Sequence, residues 1–174
     1  MNKGILLVLS GYLMWGCFPL YWALLNHVNP SEVLIHRMLW AVPVLFFLVH
    51  FKSSWKNNFK ASISSKKELV FLFITAILIT INWGGYIYAV NLGRVVEASM
   101  GYFLSPVINM IGGYIFFQER ISKLKQLAVF LATVGALYYV FSGDSFPWLG
   151  FLVGFTFSAY GIARKAMASS AVPG

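Results

Sequence analysis

The chain has 174 residues, 59% of them hydrophobic and only 10% charged, with a mean hydropathy of +0.75. A soluble domain averages about 45–50% apolar and about 25% charged residues, so no soluble core of this length absorbs that much apolar surface and the class is an integral membrane protein. The formal charge of +8 raises nucleic acid as a partner, but the basic residues fall almost entirely between the apolar runs, where membrane insertion needs them, and the lipid bilayer is the expected partner instead.

A helix that crosses a bilayer needs about 20 mostly apolar residues. Six runs qualify, at roughly 4–26, 32–51, 68–91, 97–118, 125–142 and 148–166, and the predicted fold is an all-α bundle of about six transmembrane helices. The first run follows Lys3 and is longer than a signal-peptide core of about 7–15 residues, with no cleavage site before a polar mature domain, so it is expected to stay in place as a span. It holds Trp15, Pro19 and the only cysteine, Cys17, which excludes a disulfide framework and a CxxC metal site. Asn29-Pro30-Ser31 closes the first hairpin, with Ser31 placed to cap the second helix.

The second run opens Glu32-Val-Leu-Ile-His36-Arg37 and contains Pro43. Glu32 and His36 are four apart and share a helix face. Lys52 to Lys67 forms the only long polar loop; its lysines read as topology determinants, or alternatively as a site for anionic lipid headgroups at about 1 kcal/mol per charge. The third run carries Asn82, Trp83, Tyr86, Tyr88 and Asn91. The fourth begins Glu97-Ala-Ser-Met-Gly-Tyr102-Phe and continues through Ser105-Pro106 to Asn109 and Gly112-Gly113. Its small residues allow close helix packing. Pro106, like Pro19 and Pro43, removes a backbone hydrogen bond and is expected to kink its helix.

The first run opens Gly4-Ile-Leu-Leu and reaches Trp15-Gly16, and the sixth opens Gly150-Phe-Leu-Val and reaches Tyr160-Gly161. Five spans separate the two starts, so the copies would insert with opposite topology, the inverted-repeat pattern of many secondary transporters. On that reading residues 1–145 form a first five-helix repeat and 146–174 begin a second, inverted one, with Ala166 to Gly174 read as a truncation point. Of the thirteen Lys and Arg residues, all but Arg94 and the intramembrane Arg37 collect on one side. That side is cytoplasmic by the positive-inside rule, and the N-terminus lies on it.

Polar groups inside apolar spans are the candidates for function, because an unpaired charge at mid-bilayer costs roughly 2.5–3.5 kcal/mol. His36 and Arg37 fit either a proton- or substrate-binding cluster or a structural pair with Arg37 snorkelling to the surface. Asn82, Trp83 and Tyr86 fit either interhelical hydrogen bonding or contact with a ligand. Glu97 fits a cap, a partner for Arg37 or a coupling carboxylate. The three histidines lack metal-ligand spacing, so no metal is expected, and no cofactor is implied. No Walker-type glycine run or GxSxG is present, which leaves an ATP-driven pump and a hydrolase without their machinery. A non-transporting membrane scaffold remains the rival reading.

The blocks WGCFPLYW, EVLIHRMLW, NWGGYIYAVN, EASMGYFLSPVINM, GGYIFFQERISKLKQLAVFLATVGALYY and FSAYGIARK resemble the RarD family of EamA-type permeases in the drug/metabolite transporter superfamily. The resemblance covers essentially the whole chain, in order. It implies ten helices in two inverted repeats in the bacterial inner membrane, and secondary transport of a small molecule by alternating access around a central cavity. Against that pattern the chain ends inside the second repeat, and a homodimer is one arrangement that would complete the cavity. The expected path residues are Trp15, Glu32, His36, Arg37, Asn82, Trp83, Tyr86, Asn91, Glu97, Tyr102 and Asn109. His36 and Glu97 form the expected protonatable pair, and Arg37 attracts an anionic group such as a carboxylate.

Overall fold

The computed structural model describes residues 3–51, 65–143 and 145–167. Each apolar run becomes one helix: α1 Lys3–Leu24, α2 Pro30–Phe51, α3 Lys66–Asn91, α4 Val95–Phe117, α5 Lys123–Ser142 and α6 Trp148–Ala166, with no strand among the described residues. The lysine-rich stretch from Lys52 to Lys60 and the expected truncation segment beyond Met167 lie outside the described residues. Pro19, Pro43 and Pro106 sit inside continuous helices and end none of them.

Five of the six helices, α1 to α5, are long and apolar enough to cross a membrane. The expected sixth span, α6, falls outside that set: its 19 residues end in Arg164 and Lys165, which lower its apolar average. The reason lies in its position. α6 packs between α3 and α4, burying Leu149, Gly150, Val153, Gly154 and Ser158, so much of its surface faces protein. Around this trio, α1 and α2 lean on α3, and α5 leans on α4. Those three outer helices expose rows of large apolar side chains such as Leu13, Phe46 and Phe130.

Glycine sets the closeness of α4 and α6. A Cβ on Gly101 would overlap the Gly150 carbonyl oxygen, one on Gly154 would come 2.6 Å from the Gly101 carbonyl, and one on Gly150 would come 2.5 Å from the Glu97 carbonyl. Lipid tails are as apolar as leucine, so helices in a membrane associate by such backbone approach and by hydrogen bonds rather than by hydrophobic burial. Ser105 Oγ adds to the seam by donating to the Gly154 carbonyl at 3.5 Å, and Ser158 Oγ donates to the Ser105 carbonyl at 3.4 Å.

The turn between α3 and α4 positions the next two charges. Gly93 adopts φ +71°, its N–H donates to the Val90 carbonyl, and the Arg94 N–H reaches the Ala89 carbonyl at 2.8 Å. This left-handed glycine termination satisfies the last carbonyls of α3 and turns the chain directly into α4. At the far end of α4, Gln118 takes the left-handed conformation at φ 52°. The Glu119 N–H then returns to the Gly113 carbonyl at 3.1 Å, and the Glu119 carboxylate folds over Gly113, where a Cβ would stand 2.6 Å from Oε2.

Candidate functional site

Near the α1–α2 turn, Trp22, Val33, Ile87 and Val90 form a buried cluster against which Leu25, Val28 and Val95 pack. That cluster draws together the C-terminal ends of α1 and α3 and the N-terminal ends of α2 and α4. Beside it a cavity of about 450 Å³ opens between α1 and α2, lined by Tyr21, Trp22, Leu25, Val28, Glu32, Val33, His36, Arg37 and Trp40. Glu32 and His36 are exposed and Arg37 is half-buried. The i, i+4 spacing of Glu32 and His36 places both on the helix face that lines the cavity.

Arg37 has a defined environment. Its guanidinium carbon lies 3.8 Å from the Trp83 ring centroid and 5.6 Å from that of Trp22. Cation–π contacts of this kind contribute about 0.5–2 kcal/mol, rising as water is excluded. Tyr102 lies within electrostatic range of the same charge. Among the described residues, Arg37 has neither an ion pair nor a hydrogen-bond partner. The guanidinium rests over indole, while its N–H donors remain unspent among the described residues.

A second group centres on Tyr102, whose ring lies 6.1 Å from Trp15, 5.8 Å from Tyr86 and 5.4 Å from Phe157. The cluster therefore joins α1, α3, α4 and α6. Proline chemistry adds two acceptors: Pro19 and Pro106 have no N–H to give the carbonyls of Trp15 and Tyr102, four residues earlier in each helix. The Tyr102 hydroxyl donates to Asn82 Oδ1 at 3.5 Å.

Asn82 itself is fully buried and committed elsewhere. Its Nδ2 donates to the Val153 carbonyl at 2.7 Å and to Thr156 Oγ1 at 3.2 Å. It ties α3 to α6 and is a structural bond rather than an open contact. Of the readings open to Glu97, the pairing with Arg37 is not made and the cap is. Glu97 is buried, its Oε1 accepts the Leu149 N–H at 2.8 Å, and its Oε2 pairs with Arg94 at 2.6 Å. Leu149 belongs to the first turn of α6, so the carboxylate caps that helix, where an anion is favoured. Asn91, at the end of α3, keeps a buried Nδ2 without a partner, and Asn109 is exposed with its Oδ1 facing Gly161. Neither reaches the Arg37 cavity.

Two contributors were legible and passed over, and a third was not legible. Trp22 lies seven residues after Trp15, two helical turns along the same face. Arg94 is the lone basic residue on its side and stands three before Glu97, a spacing at which helical charges meet. Phe157 had no local signal, because only packing aims it at Tyr102.

The profile of the EamA-like transporter family matches residues 2–141. The chain is 36% identical over 166 residues to an uncharacterized transporter, YojE, of Bacillus subtilis, covering 94% of this chain and 56% of that protein. It is 36% identical over 173 residues to protein RarD of Escherichia coli, covering 99% of this chain and 58% of that protein. Against the chloramphenicol-sensitive protein RarD of Pseudomonas aeruginosa the identity is 29% over 176 residues, with 99% and 59% covered. The chain thus spans somewhat more than half the length of these relatives. No solved structure matches it.

Proposed function

This chain belongs to the EamA-like transporter family of multi-pass membrane proteins, and from that premise we propose that it forms part of a secondary transporter moving a small metabolite or drug across the bacterial inner membrane. Its N-terminus and lysine-rich connection face the cytoplasm, as the positive-inside rule requires. Transport proceeds by alternating access, and residues 146–174 open a second, inverted repeat that completes the cavity. Protons are carried by His36 at the cavity rather than by Glu97, whose oxygens are both engaged.

The observation that carries this reading is Arg37: a charge two turns inside a membrane helix, held by indole faces, lining a cavity and unpaired. A structural arginine at such depth is ordinarily paired, because the charge is costly there. The test is mass-spectrometric profiling of metabolites accumulated or released by cells that express the protein, with Arg37→Ala at equal membrane abundance as the comparison. At least one small metabolite should move, with its rate falling more than tenfold in Arg37→Ala. A chain that moves nothing, or a variant that transports as well as the parent, would overturn the proposal. Chloramphenicol belongs in the panel because one relative's name carries it.

A further inference from the structure

We propose that the cavity between α1 and α2 binds an organic monocarboxylate with an aromatic or apolar body, its carboxylate on Arg37 and its body against Trp22 and Trp40. The inference rests on the transporter reading of the same cavity and names its ligand class.

The Trp83 ring, 3.8 Å from the guanidinium carbon, and the Trp22 ring at 5.6 Å hold the charge by cation–π contact, which uses none of its N–H donors. The donors that remain lie in its plane, the fork that a carboxylate accepts with two parallel hydrogen bonds. No donor atom of Arg37 is both fully buried and unsatisfied, since Asn91 Nδ2 alone has that condition among the described residues. The fork is therefore open to a ligand, and its position is held without any carboxylate from the chain.

Charge then limits the ligand. Glu32 is a second lining residue, and among the described residues neither ion pair involves it or Arg37. Arg37 is the one arginine or lysine among the lining residues, so it matches one negative charge and a dianion would leave the other unmatched. A monoanion seated on Arg37, away from Glu32 at the start of the helix, is compensated. Apart from His36, the remaining wall is apolar or aromatic, including Tyr21, Leu25 and Val33. The volume of about 450 Å³ falls in the usual range for small-molecule sites, about 300–1,000 Å³. A site whose donors await a carboxylate rejects the analogue that cannot accept them, because those donors are then left unpaired.

The test is equilibrium dialysis of three ligands with one body and three heads: 4-phenylbutyrate, 4-phenylbutyramide and 4-phenylbutylamine. The full chain is held in nanodiscs of phosphatidylcholine, so no anionic lipid competes. The carboxylate should bind at least tenfold more tightly than the amide and the amine. Arg37→Gln should erase that preference. Arg37→Lys should keep part of it, because an ammonium retains the charge and loses the fork. Trp22→Leu should weaken all three ligands together through the body contact. Equal binding of the three heads, or an unchanged preference in Arg37→Gln, would overturn the proposal. So would full displacement of 4-phenylbutyrate by a few molecules of phosphatidylglycerol per disc, which would assign the fork to a lipid headgroup.

Proteoliposome flux separates the two readings. Selective carboxylate binding without flux keeps this site and removes the transport reading. Flux of a neutral or cationic solute without carboxylate preference keeps transport and removes this ligand class.

Discussion

Between α4 and α6 the backbones themselves touch through Gly101, Gly150 and Gly154, whereas between α1 and α2 side chains stand around a cavity of about 450 Å³. Polar groups follow the same division. Where α3 and α4 meet α6, both Glu97 oxygens and the Asn82 amide nitrogen are engaged. At the cavity, Arg37 and Glu32 have no ion-pair partner among the described residues. Residue type does not separate the two kinds of site, since each holds a charge inside an apolar helix. What separates them is whether the donors and acceptors are already spent. Spent groups fix the position of α6, and unspent ones are free for a ligand.

The largest effect should come from breaking the seam. Gly101→Val places a branched side chain against the Gly150 carbonyl, where backbone must move because no flexible side chain can yield. Overpacking of this kind costs about 1–3 kcal/mol or more. We expect loss of the monodisperse species in detergent, read by size-exclusion chromatography. Gly11→Ala is the control, because nothing lies within 4 Å of a Cβ there, and it should behave as the parent. Equal behaviour of the two variants would mean that the seam does not organise the bundle.

A middle effect is expected at Glu97. Replacing it by Ala strips the Leu149 N–H of its acceptor and Arg94 of its partner. Hydrogen bonds to charged groups contribute about 1.5–3 kcal/mol, and Arg94 keeps some solvent access at 33% side-chain exposure, so a loss of about 2 kcal/mol is expected. Glu97→Gln keeps an acceptor for the N–H and should lose about half as much. Thermal melting in detergent reads both. If Glu97→Gln retained its stability but lost transport, the carboxylate would belong with the cavity and the division drawn above would fail.

The smallest effect belongs to the other end of the seam. Lys165 pairs with the Glu119 carboxylate and, with help from Lys125, holds its carboxyl below the usual carboxylate range. A lowered folded-state value means that the contribution is present above the ordinary carboxylate pKa and is lost as pH falls through the folded value. The pair is exposed, so the contribution is small and screened by salt. The melting difference between the parent and Glu119→Gln should be flat above the carboxylate range and vanish in acid. A difference that grew in acid would contradict the sign.

The helices were legible because the signal is local. Runs such as 68–91 and 125–142 end within a few residues of α3 and α5, since length, apolarity and flanking lysines are read one segment at a time. The site was legible in its members more than in its pairings. Arg37, Trp83, Tyr86, Tyr102 and Trp15 do stand near one another in two linked groups. Glu97 fitted a cap, a partner for Arg37 or a coupling carboxylate, and its place against Arg94 and the first turn of α6 makes it the cap. Asn82 and its neighbour Trp83 both fitted interhelical bonding or a ligand, and Asn82 takes the first, facing α6.

By itself, the sequence determined the class, the number of helices, their approximate ends and the short list of polar residues inside them, because each depends on segments of about twenty residues and the thickness of a bilayer. Only the tertiary structure decided that α6 lies between α3 and α4, that Glu97 caps it, and that Arg37 rests on indole with its donors unspent. Those facts depend on which small residues of one helix meet the backbone of another, and such close-packed contacts set the relative positions of whole helices.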